Sequence, residues 1–356
     1  MTLCVELSYL DHVTVQRAAL SRRLWSAKLT NPMEGLVKNA SEVRYDNRAI
    51  LVTGAGRGMG RAHALALAEL GALVLVADRG VSMNGDGEDE GPANDVVEEI
   101  QAEGGVAAAY HGDLSTEAGA RGAVEATLAA FGRIDGIIHN ASTAPDAGPL
   151  YETPPALFDR TIQVNLYAAF HMVQAAWPTF LSQRFGRIVV VASHSIYGSA
   201  DFVPYTTAKA GYIGFVNSLS LEGAEHNILV NAVAPTARTR MTERMQQSAY
   251  TDWLFETMAP EKVTPTVAYL VSESSKANGQ MFSVGGGRVA RMTLAETHGV
   301  LGLGESIDDV HHSMEAVLTD GGWIFPESIA ERGMVVAEIM GWEPSAVSGN
   351  PYAISN

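Results

Sequence analysis

A short aliphatic run, Ala49-Ile50-Leu51-Val52-Thr53, leads directly into Gly54-Ala55-Gly56-Arg57-Gly58-Met59-Gly60, followed by a stretch rich in Ala and Leu. A strand, a glycine-rich turn and a helix start in that order leave few folds open. The turn presents backbone N–H groups, and the helix dipole adds positive potential, so the junction is a pyrophosphate site at the edge of a parallel sheet. The alternation continues along the chain. Further β-rich runs occupy 72–77, 106–111, 136–140, 187–193, 229–234 and 280–284. Stretches with helical apolar spacing lie between them, at 62–70, 93–103, 116–131, 155–183, 206–226 and 265–272. Strands alternating with helices predict right-handed crossovers. The expected architecture is one doubly wound, Rossmann-type α/β domain over 46–290, with a seven-stranded parallel sheet covered on both faces.

Composition narrows the class further. Apolar residues make up 47% of the 356, so a sizeable core is available and a disordered chain is excluded. The single cysteine, Cys4, rules out a disulfide framework or a cysteine-built zinc site, and no metal is expected. Forty acidic against 24 basic residues, a net −16, argue against nucleic acid or an anionic membrane as partner. No apolar run reaches the ~18 residues needed to span a bilayer. The chain does not end in Ser-Lys-Leu, and the expected location is cytoplasmic.

Two appendages flank the domain. Residues 1–45 read as an extension that is poorly ordered at least to 32, with Met33 as an alternative start. Arg17, Arg22, Arg23 and Lys28 suggest a transit peptide, against which Glu6 and Asp11 weigh. Residues 291–356 carry ten acids and two bases. Ser306–Leu318 and Ser328–Met340 read as helices that cover the domain or form a subunit contact.

In the glycine turn, Gly54 permits the bend, Gly58 lets backbone approach phosphate, and Gly60 allows close helix packing. Arg57 and Met59 lie between them as further cofactor contacts. The second strand ends at Asp78, an acid placed to bind ribose hydroxyls and repel a 2′-phosphate, which favours NAD over NADP. Arg57 and Arg79 are the counter-evidence, since either can pair with a 2′-phosphate. The eight acids and no Lys/Arg of 80–103 read as a solvated face that further disfavours NADP. Asp113-Leu114 ends the third strand, where Asp113 is placed to bind adenine or to cap the next helix. Asn140-Ala141 ends the fourth, where Asn140 can tie the sheet to the turn.

At the other end, Ser193 closes the fifth strand, and Tyr205 and Lys209 open the next helix at i, i+4, on one face. A phenol is a poor base at neutral pH. An adjacent ammonium, with the positive nicotinamide ring, lowers its pKa. Tyr205 can then take the alcohol proton as hydride leaves, or return it in reverse, with Ser193 on the substrate oxygen. Asn165 is placed to hold a water leading protons to Lys209.

With these residues in hand, the chain resembles the short-chain dehydrogenase/reductase family over 46–290. The likeness rests on T-G-x-x-x-G-x-G at 53–60, Asp113, Asn140-Ala141, Asn165, Ser193 and Tyr205-x-x-x-Lys209. It extends to Pro235, Thr236 and Thr239, where the resemblance implies nicotinamide contacts. The family's Asn-Asn-Ala-Gly stands here as His139-Asn140-Ala141-Ser142, the Ser-to-Tyr spacing is one residue short, making Ser195 an alternative to Ser193, and Thr236 replaces the usual Gly after Pro235. Val52–Ala66, the 79–99 insert, Ala176-Trp177, Ser195–Gly198 and Ala234–Thr242 are similar to the (3R)-hydroxyacyl-CoA dehydrogenase part of peroxisomal multifunctional β-oxidation enzymes. That resemblance implies NAD, a homodimer or homotetramer, and acyl-CoA or steroid-like substrates. With no hydratase or sterol-carrier module in the sequence, a stand-alone relative is expected. Met241, Met245, Trp253, Leu254, Phe255 and Met258 suit a lid over an apolar alcohol or ketone. Three alternatives stay open: an NADP-dependent carbonyl or 3-oxoacyl reductase, a non-catalytic NAD-binding scaffold, and an extended-branch epimerase.

Overall fold

The computed structural model describes residues 43–82, 87–303 and 306–341. The expected leader lies outside the described residues up to position 42. Strands β1 (Ala49–Thr53), β2 (Leu73–Ala77), β3 (Val106–Tyr110), β4 (Gly136–His139), β5 (Gly186–Val191), β6 (Ile228–Pro235) and β7 (Met281–Gly285) follow the predicted runs closely. They are parallel, in the order β3-β2-β1-β4-β5-β6-β7.

An eighth strand, β8 (Arg288–Met292), pairs antiparallel with β7 and corrects the seven-stranded, all-parallel expectation. Gly285 pairs with Arg288, so the loop is only Gly286-Gly287, at φ 57° and 86°. A two-residue hairpin matches strand twist when both loop residues have positive φ, which glycine adopts freely. Gly285-Gly286-Gly287 carries that signal in the sequence.

The helices are α1 (Gly58–Glu69), α2 (Gly91–Ala102), α3 (Glu117–Phe131), α4 (Pro155–Ile162), α5 (Ala168–Gln183), α6 (Val203–Gly223), α7 (Ala249–Thr257) and α8 (Thr264–Val271). The single helix expected over 155–183 is interrupted by a π-helical turn, Gln163–Tyr167. Within it, Asn165 Nδ2 donates to the carbonyl of Thr161, four residues back, at 2.9 Å, and to Thr143 O at 2.9 Å. A side chain that bonds the i−4 carbonyl competes with the helical ladder, and π turns recur at functional sites.

The sheet divides the core into two layers. Ile50, Val52, Val74, Val76, Ile138 and Val189 pack with Ala64 and Leu67 of α1, Val96 of α2 and Val267 of α8. Their strand neighbours Leu51, Leu75, Ile137, Ile188 and Val190 pack on the other face with Val124 of α3, Met172 of α5 and Val216 of α6. Successive strand residues point to opposite faces, so a sheet covered twice needs unbroken apolar strands. The strand order reverses between β1 and β4, which opens a crevice at their carboxyl ends.

Beyond β8, a small ribbon pairs β9 (Glu296–Thr297) with β10 (Trp323–Ile324). Helices α9 (Ile307–Thr319) and α10 (Ile329–Ile339) begin at the expected serines. Ser306 and Ser328 accept from Asp309 N and Glu331 N at 3.1 Å each. Neither helix has a fully buried residue, and residues 333–337 of α10 are half-buried. No described helix is long and apolar enough to cross a membrane.

Candidate active site

A cavity of about 300 Å³ opens at the crevice. The carboxyl ends of β1 to β4 all reach it, through Gly54, Arg57, Gly58 and Met59, Asp78, Asp113 and Leu114, and Asn140 and Ala141; Thr239 lines it from the segment after β6. Gly60 lies behind the turn, fully buried. Asn140 Nδ2 donates to Gly54 O at 3.1 Å. Thr53 Oγ1 accepts from Asn140 N and Ala141 N at 3.1 and 3.0 Å. The two strands beside the topological switch are therefore joined at the ligand end.

The charges around the adenosine end are specific. Asp78 accepts from Gly56 N through Oδ2 at 2.8 Å and from Gly80 N through Oδ1 at 2.7 Å. Arg57 pairs with Asp89 at 3.2 Å. Arg79 pairs with Glu88, and with Asp113 at 2.5 Å. Two acids of the 80–103 stretch thus neutralise the two arginines that competed with the NAD reading. Burial pushes the Asp113 carboxyl up, but hydrogen bonds from Ser115 and the Arg79 charge outweigh it and hold it below its usual value. Asp113 also accepts from Ser115 N at 2.9 Å, as a turn-stabilising residue would.

The residues present fit a dinucleotide. Besides the paired Arg57 and Arg79, Arg160 and Arg240 line the cavity, in a chain of net charge −16. A Cβ at Gly58 meets nothing within 4 Å, so the turn leaves clearance on the cavity side.

Tyr205 and Lys209 lie in the first two turns of α6, both buried. Pro204 occupies an N-terminal position of that helix, where its missing N–H costs nothing. Burial pushes the Tyr205 phenol pKa up, and the hydroxyls of Ser193 and Ser142 pull it back. The expected lowering by Lys209 is not what this arrangement gives. The Lys209 ammonium donates to Val191 O at 2.8 Å and sits 5.6 Å from the Tyr205 ring centroid. Burial pushes Lys209 down to about 7.

That shift has a stability consequence. Unfolded Lys209 holds its proton up to about 10.5, whereas the folded residue releases it near 7. Between those values the unfolded state binds the extra proton, so stability rises with pH across the window. Denaturant unfolding of the nucleotide-free protein at several pH values should show this rise. In Lys209→Met it should flatten by a few kcal/mol.

Asn165 is hydrogen-bonded within the protein. Its Oδ1 accepts from Ser142 Oγ at 2.5 Å, and its backbone oxygen accepts from the Tyr212 hydroxyl. The side chain is held by three protein partners, and each of the residue's two carbonyl oxygens keeps a second lone pair. Ser193 lies at the phenol, whereas the alternative Ser195 has a buried Oγ with no partner. Pro235 ends β6, and Thr236 Oγ1 contacts His194 Nδ1 at 3.4 Å; neither lines the cavity. Of the expected lid residues, Met241 lines the cavity. Leu254 is buried in the interior, and Phe255 lies under the Arg238 guanidinium at 5.2 Å. Met245 and Trp253 are exposed, and Met258 Sδ packs near Gly286. Sequence reasoning passed over Ser142, Thr143 and Arg160 as site residues. Ser142 was visible only as a departure from Asn-Asn-Ala-Gly, and Arg160 reaches the cavity from α4 with no local motif.

With the geometry described, comparisons locate the chain among known proteins. The short chain dehydrogenase family profile matches residues 48–249. A short-chain type dehydrogenase/reductase of Mycobacterium tuberculosis is 41% identical over 249 residues, 70% of this chain and 85% of that protein. Peroxisomal multifunctional enzyme type 2 of Drosophila melanogaster is 39% identical over 269 residues, 75% of this chain and 44% of the enzyme. Its full-length structure matches with a TM-score of 0.69 at 30% identity, covering 84% of this chain and 50% of that one. The chain thus spans about half the length of the fly enzyme. A 7α-hydroxysteroid dehydrogenase complexed with NADH and 7-oxo glycochenodeoxycholic acid matches with a TM-score of 0.60 at 26% identity, covering 70% of this chain and 98% of that one.

Proposed function

The chain belongs to the short-chain dehydrogenase family, an oxidoreductase family acting on CH–OH groups, and on that premise we propose that it is a cytoplasmic, NAD-dependent enzyme interconverting an apolar secondary alcohol and its ketone. One observation carries the reading. Lys209 donates to Val191 O at the carboxyl end of β5 and lies 5.6 Å from the Tyr205 ring centroid, so the Tyr–Lys pair sits at the same edge of the sheet as the cavity formed by the carboxyl ends of β1 to β4. A bound nicotinamide dinucleotide supplies the hydride acceptor or donor. Tyr205 takes the proton of the alcohol, or gives it to the ketone oxygen. Ser193 orients that oxygen by a hydrogen bond. Lys209, fixed by Val191 O, places positive charge beside the phenol in its protonated form. Gly54, Gly58 and the start of α1 would hold its pyrophosphate.

NAD is favoured because Asp78 faces the adenosine end while Arg57 and Arg79 are held by carboxylates. Asp78→Asn keeps the acceptor for Gly56 N and removes the charge. It should raise the NADP-to-NAD ratio of kcat/KM about tenfold, read from parallel titrations. The activity named for the hydroxysteroid dehydrogenase supports an apolar ring substrate, the resemblance to (3R)-hydroxyacyl-CoA dehydrogenases supports an acyl-CoA, and Met241 on the cavity wall is in keeping with either. A homodimer is supported by large apolar side chains left exposed, among them Phe170 on α5, Leu221 on α6 and Ile307 on α9. Sedimentation equilibrium reads the assembly directly.

The test is an NADH absorbance screen over hydroxyacyl-CoAs, hydroxysteroids, terpene alcohols and simple secondary alcohols, with NAD and NADP in parallel. Turnover with NAD on an apolar member is expected. A clear NADP preference would overturn the cofactor assignment. NAD binding without turnover across the panel would favour a scaffold.

A further inference from the structure

We propose that Arg240 recognises an anionic end group, a carboxylate or a phosphate, on the alcohol or ketone that this site takes. The proposal rests on the reading of the chain as an alcohol dehydrogenase and names the charge of its substrate. Arg240 follows β6, is exposed, and lines the cavity beside Thr239 and Met241.

The neighbours of Arg240 are tied down, and its own charge is not. Three arginines lie within 238–244. Arg238 Nε pairs with Glu243 at 3.1 Å. Arg244 pairs with Asp146 in the loop after β4, and its Nη1 donates to Ala144 O at 3.3 Å. Between them Thr242 closes a turn: its Oγ1 accepts from Thr239 N at 2.8 Å, and Glu243 N donates to Thr239 O at 2.9 Å. The backbone that carries Arg240 is thus braced on both sides. Among the described residues its guanidinium has no ion pair or hydrogen bond.

The nearby carboxylates are committed elsewhere. Asp78 accepts from Gly56 N and Gly80 N, Asp113 pairs with Arg79, and Asp146 pairs with Arg244. A guanidinium stays charged and can only donate, so its complement here is a bound anion. The pyrophosphate of a dinucleotide is provided for by the N–H groups after β1. Arg240 comes from the other direction. In the order β1-β4-β5-β6 its segment enters past β5, the strand that leads to Ser193, and so approaches from the reacting end. A second cavity, of about 490 Å³, lies between the loop after β4 and α4 and shares Thr143 and Arg160 with the first. Thr143 is buried, and its Oγ1 has no partner among the described residues, a hydroxyl left for a ligand. The shared wall offers space beside a dinucleotide for the charged end of a substrate.

The experiment is binding calorimetry on NADH-loaded protein, in which an alcohol has no hydride acceptor. Two probe pairs share an alcohol and differ in charge: 3-hydroxydecanoyl-CoA against its N-acetylcysteamine thioester, and glycocholate against its methyl ester. Wild type should bind the charged member of at least one pair about tenfold more tightly, and salt should shrink that preference. Arg240→Gln should lower the preference about tenfold, Arg240→Lys should keep most of it, and Thr143→Val should lower it about threefold. Thermal unfolding confirms that each variant is folded. Equal affinity for charged and neutral members in wild type, or binding of neither, would overturn the proposal. An Arg240→Gln loss equal for both members would do the same. So would a loss confined to NADH affinity, which would give the arginine to the pyrophosphate. A charge preference lost in Arg240→Gln, with no turnover on any alcohol, would uphold the anion site and remove the oxidoreductase reading. Turnover without a charge preference would do the reverse.

Discussion

Tyr205→Phe is expected to lower kcat by about 10²–10⁴-fold, the usual contribution of a positioned general acid or base. The loss should be specific to chemistry. The ring is retained, and with it the edge contact to Phe202 at 5.2 Å between centroids. Only the hydroxyl goes, and the nearby Ser142 and Ser193 keep their bonds to Asn165 Oδ1 and Ser195 N. Stability should therefore change by about 1 kcal/mol or less. NADH affinity should be retained, because the glycine turn and the carboxyl ends of β1 to β4 are untouched. Fluorescence titration of NADH and steady-state turnover on the substrate found in the screen separate the two quantities. Turnover at the wild-type rate with Phe at 205 would remove Tyr205 as the proton carrier.

Gly60→Ala is expected to be strongly damaging at the cofactor end. An added Cβ would stand 2.0 Å from Gly54 O and 2.6 Å from Asn140 Nδ2. The first is backbone of the turn that receives the pyrophosphate, and the second is the side chain that joins this turn to β4. Neither yields as the end of a flexible chain would, so helix and turn must separate. Overpacking of this kind costs about 3 kcal/mol or more, which in a domain of this size lowers the melting temperature by roughly 6–12 °C. Dinucleotide affinity should fall by more than about tenfold, because the N–H groups of the turn lose their aim. Gly214→Ala is the control. Gly214 lies within α6 with nothing within 4 Å of a built Cβ, and its replacement should be neutral or stabilising by about 0.5–1 kcal/mol. Calorimetry of both variants, with and without NAD, checks the pair.

Much of the architecture is legible in the residues because it rests on local, repeating physics. A strand buried on both faces must be apolar throughout, so Ala49–Thr53 and Gly186–Val191 announce themselves. Helix starts are equally local: Ser306 and Ser328 cap α9 and α10 where the sequence placed them. The eighth strand was also encoded, in the Gly286-Gly287 turn, but its strand is only partly buried and lacks a long apolar run. The π turn at Gln163–Tyr167 is different in kind. It depends on Asn165 reaching Thr143, a residue 22 positions away in the loop after β4, and helical periodicity has no term for such a partner.

The same division holds at the site. By itself the sequence determined the parts: a phosphate-binding turn after β1, an acid after β2, and Tyr205 and Lys209 one helical turn apart. These follow from spacing and residue chemistry within short segments. Only the tertiary structure decided how the parts are charged and joined. It paired Arg57 with Asp89 and Arg79 with Glu88 and Asp113, so that the acidic stretch neutralises the arginines instead of merely facing solvent. It buried Lys209 against Val191 O, and it joined Ser142 at the end of β4 to Asn165 in the π turn. The physical reason is that charge pairing and burial depend on distances between segments far apart in the chain. Those distances exist only once the crossovers have brought the strand ends to one edge of the sheet.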